Sequence, residues 1–365
     1  MQNQSPLTKA VLRAFNFALF TVPAVAATVN PFAPSGATPI RFDFSSVSAA
    51  VFPAIQAGDP NGTPTDSPAL RVDPNTTSSR FAGIGSIWTL VPSGPEAGSY
   101  IGTGTPISPY HILTAAHVVD IDGDGSADIA PGNVNFNLNY GSAISHQISA
   151  AAITIHPDFT GFANPAINDD LAILTLSSPL PAGVPIYTVA GIPADYYDLT
   201  LVGYGRSGDG VAGYTVAPSF SVKRSGLNLL EAIDYDDEQG FDPGSAIEVY
   251  AFDFEDSANR AATDEFGIDF AYGNDLETLI GGGDSGGPAF VEDIFGNLFL
   301  VGVNTFGYSP ITFPPQGKFG EVGGGIWLES YVPWIDSVVP EPSTYAAGGF
   351  MILALGTLWL RRRSA

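Results

Sequence analysis

Three stretches of this 365-residue chain carry side chains whose types and spacing could do nucleophilic chemistry. The last of them is Gly283-Asp284-Ser285-Gly286-Gly287-Pro288. Glycines around a serine permit a sharp, positive-φ backbone that aims two N–H groups at one oxygen and leaves room for a substrate. Alone, the run also reads as a tight polar turn between two strands. A serine hydroxyl is a poor nucleophile until a neighbouring base takes its proton, and that base needs an orienting group. Upstream lie Thr114-Ala115-Ala116-His117 and Asn168-Asp169-Asp170-Leu171-Ala172-Ile173-Leu174. A carboxylate at the start of an apolar strand can be buried and accept a hydrogen bond from an imidazole, which fixes the tautomer and stabilises the imidazolium. Asp169 and Asp170 both stand at that start, and their side chains should point in opposite directions.

The elements that must position these groups are short strands and turns. Glycine (42) and proline (30) are abundant, which favours many strands over long helices, and 365 residues suffice for one large β domain or two smaller ones. Residues 85–90, 99–102 and 298–303 read as such strands. Lys+Arg is 13 against Asp+Glu 37, a net charge of −24. That balance argues against nucleic acid as a partner, because phosphate binding needs concentrated positive charge. With no cysteine, disulfides, a thiol nucleophile and a thiolate metal site are excluded.

The stretch 102–119, which ends Thr114-Ala115-Ala116-His117-Val118-Val119, closely resembles the trypsin-like (chymotrypsin-fold) serine peptidases. The other two stretches follow in that family's order. The resemblance implies an all-β fold of two antiparallel six-stranded β-barrels with a short C-terminal helix, foreshadowed by Tyr331-Val332-Pro333-Trp334-Ile335. It implies a catalytic triad of His117 as base, Asp170 as its orienting acid and Ser285 as nucleophile, with the N–H groups of Gly283 and Ser285 as the oxyanion hole. Leu201-Val202-Gly203-Tyr204-Gly205 resembles a second-barrel strand, and His111 and His156 read as structural. By the family's spacing Leu279 lies at the base of the substrate pocket, with Thr305, Phe306, Gly307 and Gly325 on its walls, which suits a large apolar side chain. In many relatives a freed Ile-Val-Gly-Gly terminus pairs with the acid before the serine, here Asp284. Residues 80–85 lie about where that cut would fall, making Phe81 the candidate new terminus.

Asp120-Ile121-Asp122-Gly123-Asp124-Gly125-Ser126-Ala127-Asp128 resembles the Asp-x-Asp-x-Asp-Gly calcium loops. Oxygens from Asp120, Asp122, Asp124 and Asp128 would suit a structural Ca²⁺, although Pro131 replaces the bidentate Glu of a full EF-hand. A solvated acidic turn is the other reading, and the acidic stretch 231–277 reads chiefly as solvated loops, with cation binding there as the alternative. The chemistry itself requires no cofactor.

Residues 1–27 have the charged, apolar and small-residue order of a secretory signal peptide. Residues 28–79, rich in Pro, Ser and Thr, read as a pro-segment or linker outside the packed core. The peptidase domain is expected over 80–338. Residues 339–365 place Pro340-Glu341-Pro342 before an apolar segment and Arg361-Arg362-Arg363, and resemble the PEP-CTERM sorting signal. Its sixteen apolar residues would span about 24 Å as a transmembrane helix. The resemblance implies export, an exosortase-type partner and delivery to the bacterial cell surface, outer envelope or matrix. The expectation is an exported serine endopeptidase acting on protein or peptide substrates. The alternatives are a non-catalytic surface or matrix protein that keeps the fold, and an HtrA-like peptidase, for which no peptide-binding domain follows the barrels.

Overall fold

The computed structural model describes residues 39–44, 55–161, 168–195, 197–268 and 270–339. All belong to one compact unit. The expected signal peptide, and the sorting signal beyond Val339, lie outside the described residues. Among the described residues no helix is long and apolar enough to cross a membrane.

Two short strands come first, β1 (Ile40–Arg41) and β2 (Val72–Asp73). Then β3 (Gly85–Val91), β4 (Gly98–Pro106), β5 (His111–Thr114), β6 (Val134–Leu138), β7 (His146–Ile155) and β8 (Ala172–Leu176) close an antiparallel barrel in the order β3-β4-β5-β8-β7-β6. Alternation makes this possible: on β3, Ile87, Thr89 and Val91 point inward while Trp88 and Leu90 are half-exposed. This is the first of the two expected barrels.

The remaining strands are β9 (Thr188–Val189), β10 (Asp198–Gly203), the hairpin β11 (Ser207–Asp209) and β12 (Gly213–Val216), β13 (Lys223–Leu229), β14 (Ala232–Tyr235), β15 (Ile247–Asp253), β16 (Pro288–Glu292), β17 (Leu298–Tyr308) and β18 (Val322–Trp327). Outside the hairpin they do not form the expected second six-stranded barrel. They lie in one ten-stranded sheet, ordered β1-β14-β15-β18-β17-β16-β10-β13-β2, with β9 added to β17. The pairings β1–β14 and β9–β17 are parallel. Segments from outside the predicted domain occupy the sheet's edges, so the β13 and β14 edges pair with β2 and β1. The chain ends in a short helix, α1 (Val332–Val338), with proline in its first turn.

Residues 39–44 and 55–79 therefore correct the linker reading. Phe44 and Ile55 are buried in the sheet's apolar clusters. Arg71 and Asp66 form a buried pair at 2.6 Å. Lys223, fully buried, pairs with Asp73 at 3.1 Å and donates to the Phe81 carbonyl at 2.6 Å. Low periodicity concealed this packing, because the segment contributes isolated anchors to partners made elsewhere in the chain.

Candidate active site

β5 ends at Thr114, and the fully buried Ala115 and Ala116 carry the chain into a one-turn 3₁₀ helix, Ala116–Val118, that holds His117. Small side chains let this turn sit tightly between barrel and sheet. Asp170, fully buried just before β8, engages the histidine twice. Its Oδ1 accepts the His117 backbone N–H at 2.9 Å, and its Oδ2 lies 2.5 Å from His117 Nδ1. The two oxygens of one carboxylate thus fix ring and main chain together. Asp169 faces away, with φ of 53°, and its Oδ1 accepts the Tyr331 hydroxyl at 2.9 Å.

The turn that carries Ser285 is held by β4. The Thr103 N–H donates to the Ser285 carbonyl at 2.8 Å, and Thr103 Oγ1 donates to the Gly283 carbonyl at 2.9 Å. The Thr103 carbonyl accepts from Thr114 Oγ1, also at 2.9 Å. One threonine therefore ties both ends of the serine turn to the strand that leads to His117. Gly286 has φ of 81°, and a Cβ there would lie 2.0 Å from Thr114 Oγ1, so only glycine fits. Within the turn the amides of Asp284, Gly286 and Gly287 are bonded to the carbonyls of Gly281, Asn304 and Asp284. Among the described residues, neither the Gly283 nor the Ser285 N–H has a backbone acceptor outside the strand ladders.

The Trypsin family model matches residues 85–216. The matched span contains His117 and Asp170 and stops before Ser285. Over 264 residues the chain is 28% identical to a protein of Aedes aegypti named inactive CLIP domain-containing serine protease A3. That alignment covers 69% of this chain and 48% of the relative, so the chain spans about half the relative's length. A solved structure, HL collagenase, is similar at 20% identity and a TM-score of 0.44, over 72% of this chain and 94% of the other. A trypsin-like domain is supported, with its clearest signal in the first barrel.

His117, Gly283 and Ser285 line one cleft of about 590 Å³, together with Tyr100, Ile101, Val118, Tyr214, Arg206, Pro314 and Pro315. None of the predicted pocket residues Leu279, Thr305, Phe306, Gly307 and Gly325 lines it. Leu279 is packed into an apolar cluster of the sheet. Thr305 is fully buried at a bulge in β17, and Gly307 is buried in the same strand. The Phe306 ring rests 5.4 Å from that of Phe44, a residue from the supposed linker. A Cβ on Gly325 would meet the Val303 carbonyl at 1.9 Å, so this glycine closes a strand contact and opens no pocket.

Asp284 is fully buried, and burial pushes its carboxyl up to about 7. Its Oδ1 accepts the Gly205 N–H at 2.7 Å, and its carboxylate also accepts the Ile55 N–H. Gly203 makes room for it, since a Cβ there would lie 1.8 Å from Oδ1. Phe81 does not reach this acid; its own N–H is bonded to Ser79 Oγ at 3.0 Å. The residue whose N–H meets Asp284 is Ile55, which heads Ile55-Gln56-Ala57-Gly58.

Tyr204 is buried, donating to the Ile84 carbonyl at 3.0 Å and accepting from Asn139 Nδ2 at 2.9 Å. The His111 and Ser108 side chains meet at 2.7 Å, whereas His146 is exposed. In the acidic loop, Asp120, Asp122 and Asp128 each bring an oxygen within 4.8 Å of the others. Asp124 is not in that group; its carboxylate accepts the Ser126 N–H at 2.9 Å. Asp120 is buried and accepts N–H bonds from Gly123, Asp124 and Gly125. Thr103 is one of the site residues that sequence reasoning missed; its only signal was its place near the start of the stretch 102–119, where it was given no role.

Proposed function

We propose that this chain is a serine endopeptidase in which Ser285 attacks the scissile carbonyl and His117 takes its proton. His117 then returns the proton to the leaving amine, water cleaves the acyl-enzyme by the same route, and Asp170 holds the imidazole throughout. The Gly283 and Ser285 N–H groups stabilise the oxyanion. The observation that carries this reading is the double grip of Asp170 on His117 in a cleft that Ser285 and Gly283 also line. Aromatic, aliphatic and proline side chains dominate that cleft, which supports a large apolar residue in the substrate; Arg206 and Glu96 add one charge of each sign. The name of the Aedes aegypti relative favours a second reading, a non-catalytic protein that keeps the fold. A proteomic cleavage profile run beside Ser285→Ala separates the two. The peptidase reading expects cleavages that vanish in the variant, mainly after large apolar residues; identical profiles would favour the non-catalytic protein, and cleavage mainly after Lys or Arg would reject the apolar preference.

The Ile55 N–H at Asp284 supports activation by a cut immediately before Ile55, which would place a new ammonium against that buried acid. N-terminal sequencing of active protein should then read Ile-Gln-Ala-Gly, whereas a start at Phe81 would contradict it. Structural Ca²⁺ in the acidic loop narrows to Asp120, Asp122 and Asp128, and chelation should lower the melting temperature. The residue order at both ends supports export, exosortase processing and delivery to the cell surface, with transient membrane attachment.

A further inference from the structure

The acidic surface expected over 231–277 is not all solvated. Glu248, on β15, is only 6% exposed, and it meets Asp237 and Glu238, from the turn between β14 and β15, and Asp169, from the loop ahead of β8. One carboxylate oxygen from each of these four lies within 4.8 Å of the other three. Among the described residues, every Lys and Arg ion pair is made with other acids. The nearby base is His156, whose Nδ1 lies 3.4 Å from Asp169 Oδ1. Two oxygens of the group, Glu248 Oε2 and Asp237 Oδ1, are buried without a hydrogen-bond partner. Glu238 is exposed, but Glu248 and Asp237 keep oxygens out of water with no donor, which is costly for a charged carboxylate; a bound cation offsets that cost where protonation otherwise must.

We propose that Asp169, Asp237, Glu238 and Glu248 form a Ca²⁺ site that ties the first barrel to the second sheet. Ca²⁺–oxygen distances of about 2.3–2.6 Å put opposed ligands about 5 Å apart, so oxygens this close together fit around one ion. An all-carboxylate set selects a hard cation over Zn²⁺, which favours nitrogen and sulfur. His156 Nδ1 already faces the Asp158 N–H at 3.4 Å, and its ring stands edge-on to Tyr331 and Trp334. The ion would fix Asp169, and through one peptide link the loop that positions Asp170. These ligands share no residue with the Asp120–Asp128 loop.

The test uses the full chain, Ca²⁺ calorimetry and Tb³⁺ luminescence excited through the neighbouring Tyr331 and Trp334. The variant Asp237→Asn/Glu248→Gln should bind Ca²⁺ at this site at least tenfold more weakly and lose most of the sensitised Tb³⁺ signal. In chelator it should melt no lower than the parent, since repulsion within the group is reduced. A loop variant, Asp122→Asn/Asp128→Asn, should keep the Tb³⁺ signal. Unchanged Ca²⁺ binding in Asp237→Asn/Glu248→Gln, no binding by the parent up to millimolar Ca²⁺, or displacement of Tb³⁺ by Zn²⁺ at lower concentration than by Ca²⁺ would each overturn the site. None of these readouts requires peptidase activity, so they stand apart from the proposed catalysis.

Discussion

At the scale of the residue, Thr103 shows how a site can depend on a side chain that does no chemistry. Its hydroxyl donates to the Gly283 carbonyl and accepts the Tyr204 N–H at 3.2 Å, while its N–H holds the Ser285 carbonyl. Thr103→Val keeps the shape but leaves the Gly283 carbonyl and the Tyr204 N–H without that partner. A misplacement of about 1 Å in a catalytic group costs up to about 10²-fold. We expect kcat/KM to fall about 10- to 100-fold, with Thr103→Ser restoring most of it; equal loss in both variants would mean that the methyl packing matters and the hydroxyl does not. His117, Asp170 and Ser285 were legible in the sequence because each sits in its own contiguous run. The cleft wall was not, because Tyr214, Pro314 and Pro315 converge from separate loops and share no local pattern. Ile55 escaped because Ile-Gln-Ala-Gly departs from Ile-Val-Gly-Gly.

At the scale of the element, the first barrel was legible because its strands alternate and are bounded by turn residues. The second half was misjudged where the chain adds strands of two residues, too short to show any period. The same segment carries the Arg71–Asp66 pair, and Arg71 also donates to the carbonyls of Leu276 and Glu277 at 2.7 and 2.8 Å. Those carbonyls lead toward the serine turn, so the supposed linker braces the approach to Ser285. Arg71→Ala leaves Asp66 buried without its partner, a loss of about 3–5 kcal/mol. Chemical denaturation should show that shift in the midpoint. A change below about 0.5 kcal/mol would mean that residues 55–79 detach freely, as the linker reading supposed.

For the whole molecule, the excess of acid is partly internal. Burial, as the first cause, raises Asp284 and Glu255 to about 7 and Glu277 to about 8. A carboxyl raised in the folded state holds a proton that the unfolded chain has released. The folded state therefore binds more protons between the ordinary carboxylate range and these values, and stability falls as pH rises through that window. In chelator, the melting temperature should decline from about pH 5 to about pH 8 by calorimetry, and a rise over that interval would contradict the burial described. Composition disclosed the charge of −24 but not its placement, because which acids are buried depends on pairings across the sheet. The most direct test of the central claim is labelling by a fluorophosphonate, which needs an activated serine beside its base. The account predicts a single covalent adduct that maps to Ser285, forms at neutral pH and is absent in Ser285→Ala and His117→Ala. Protein carrying the Ile55 terminus that fails to react, or that labels equally after Ser285→Ala, would contradict it.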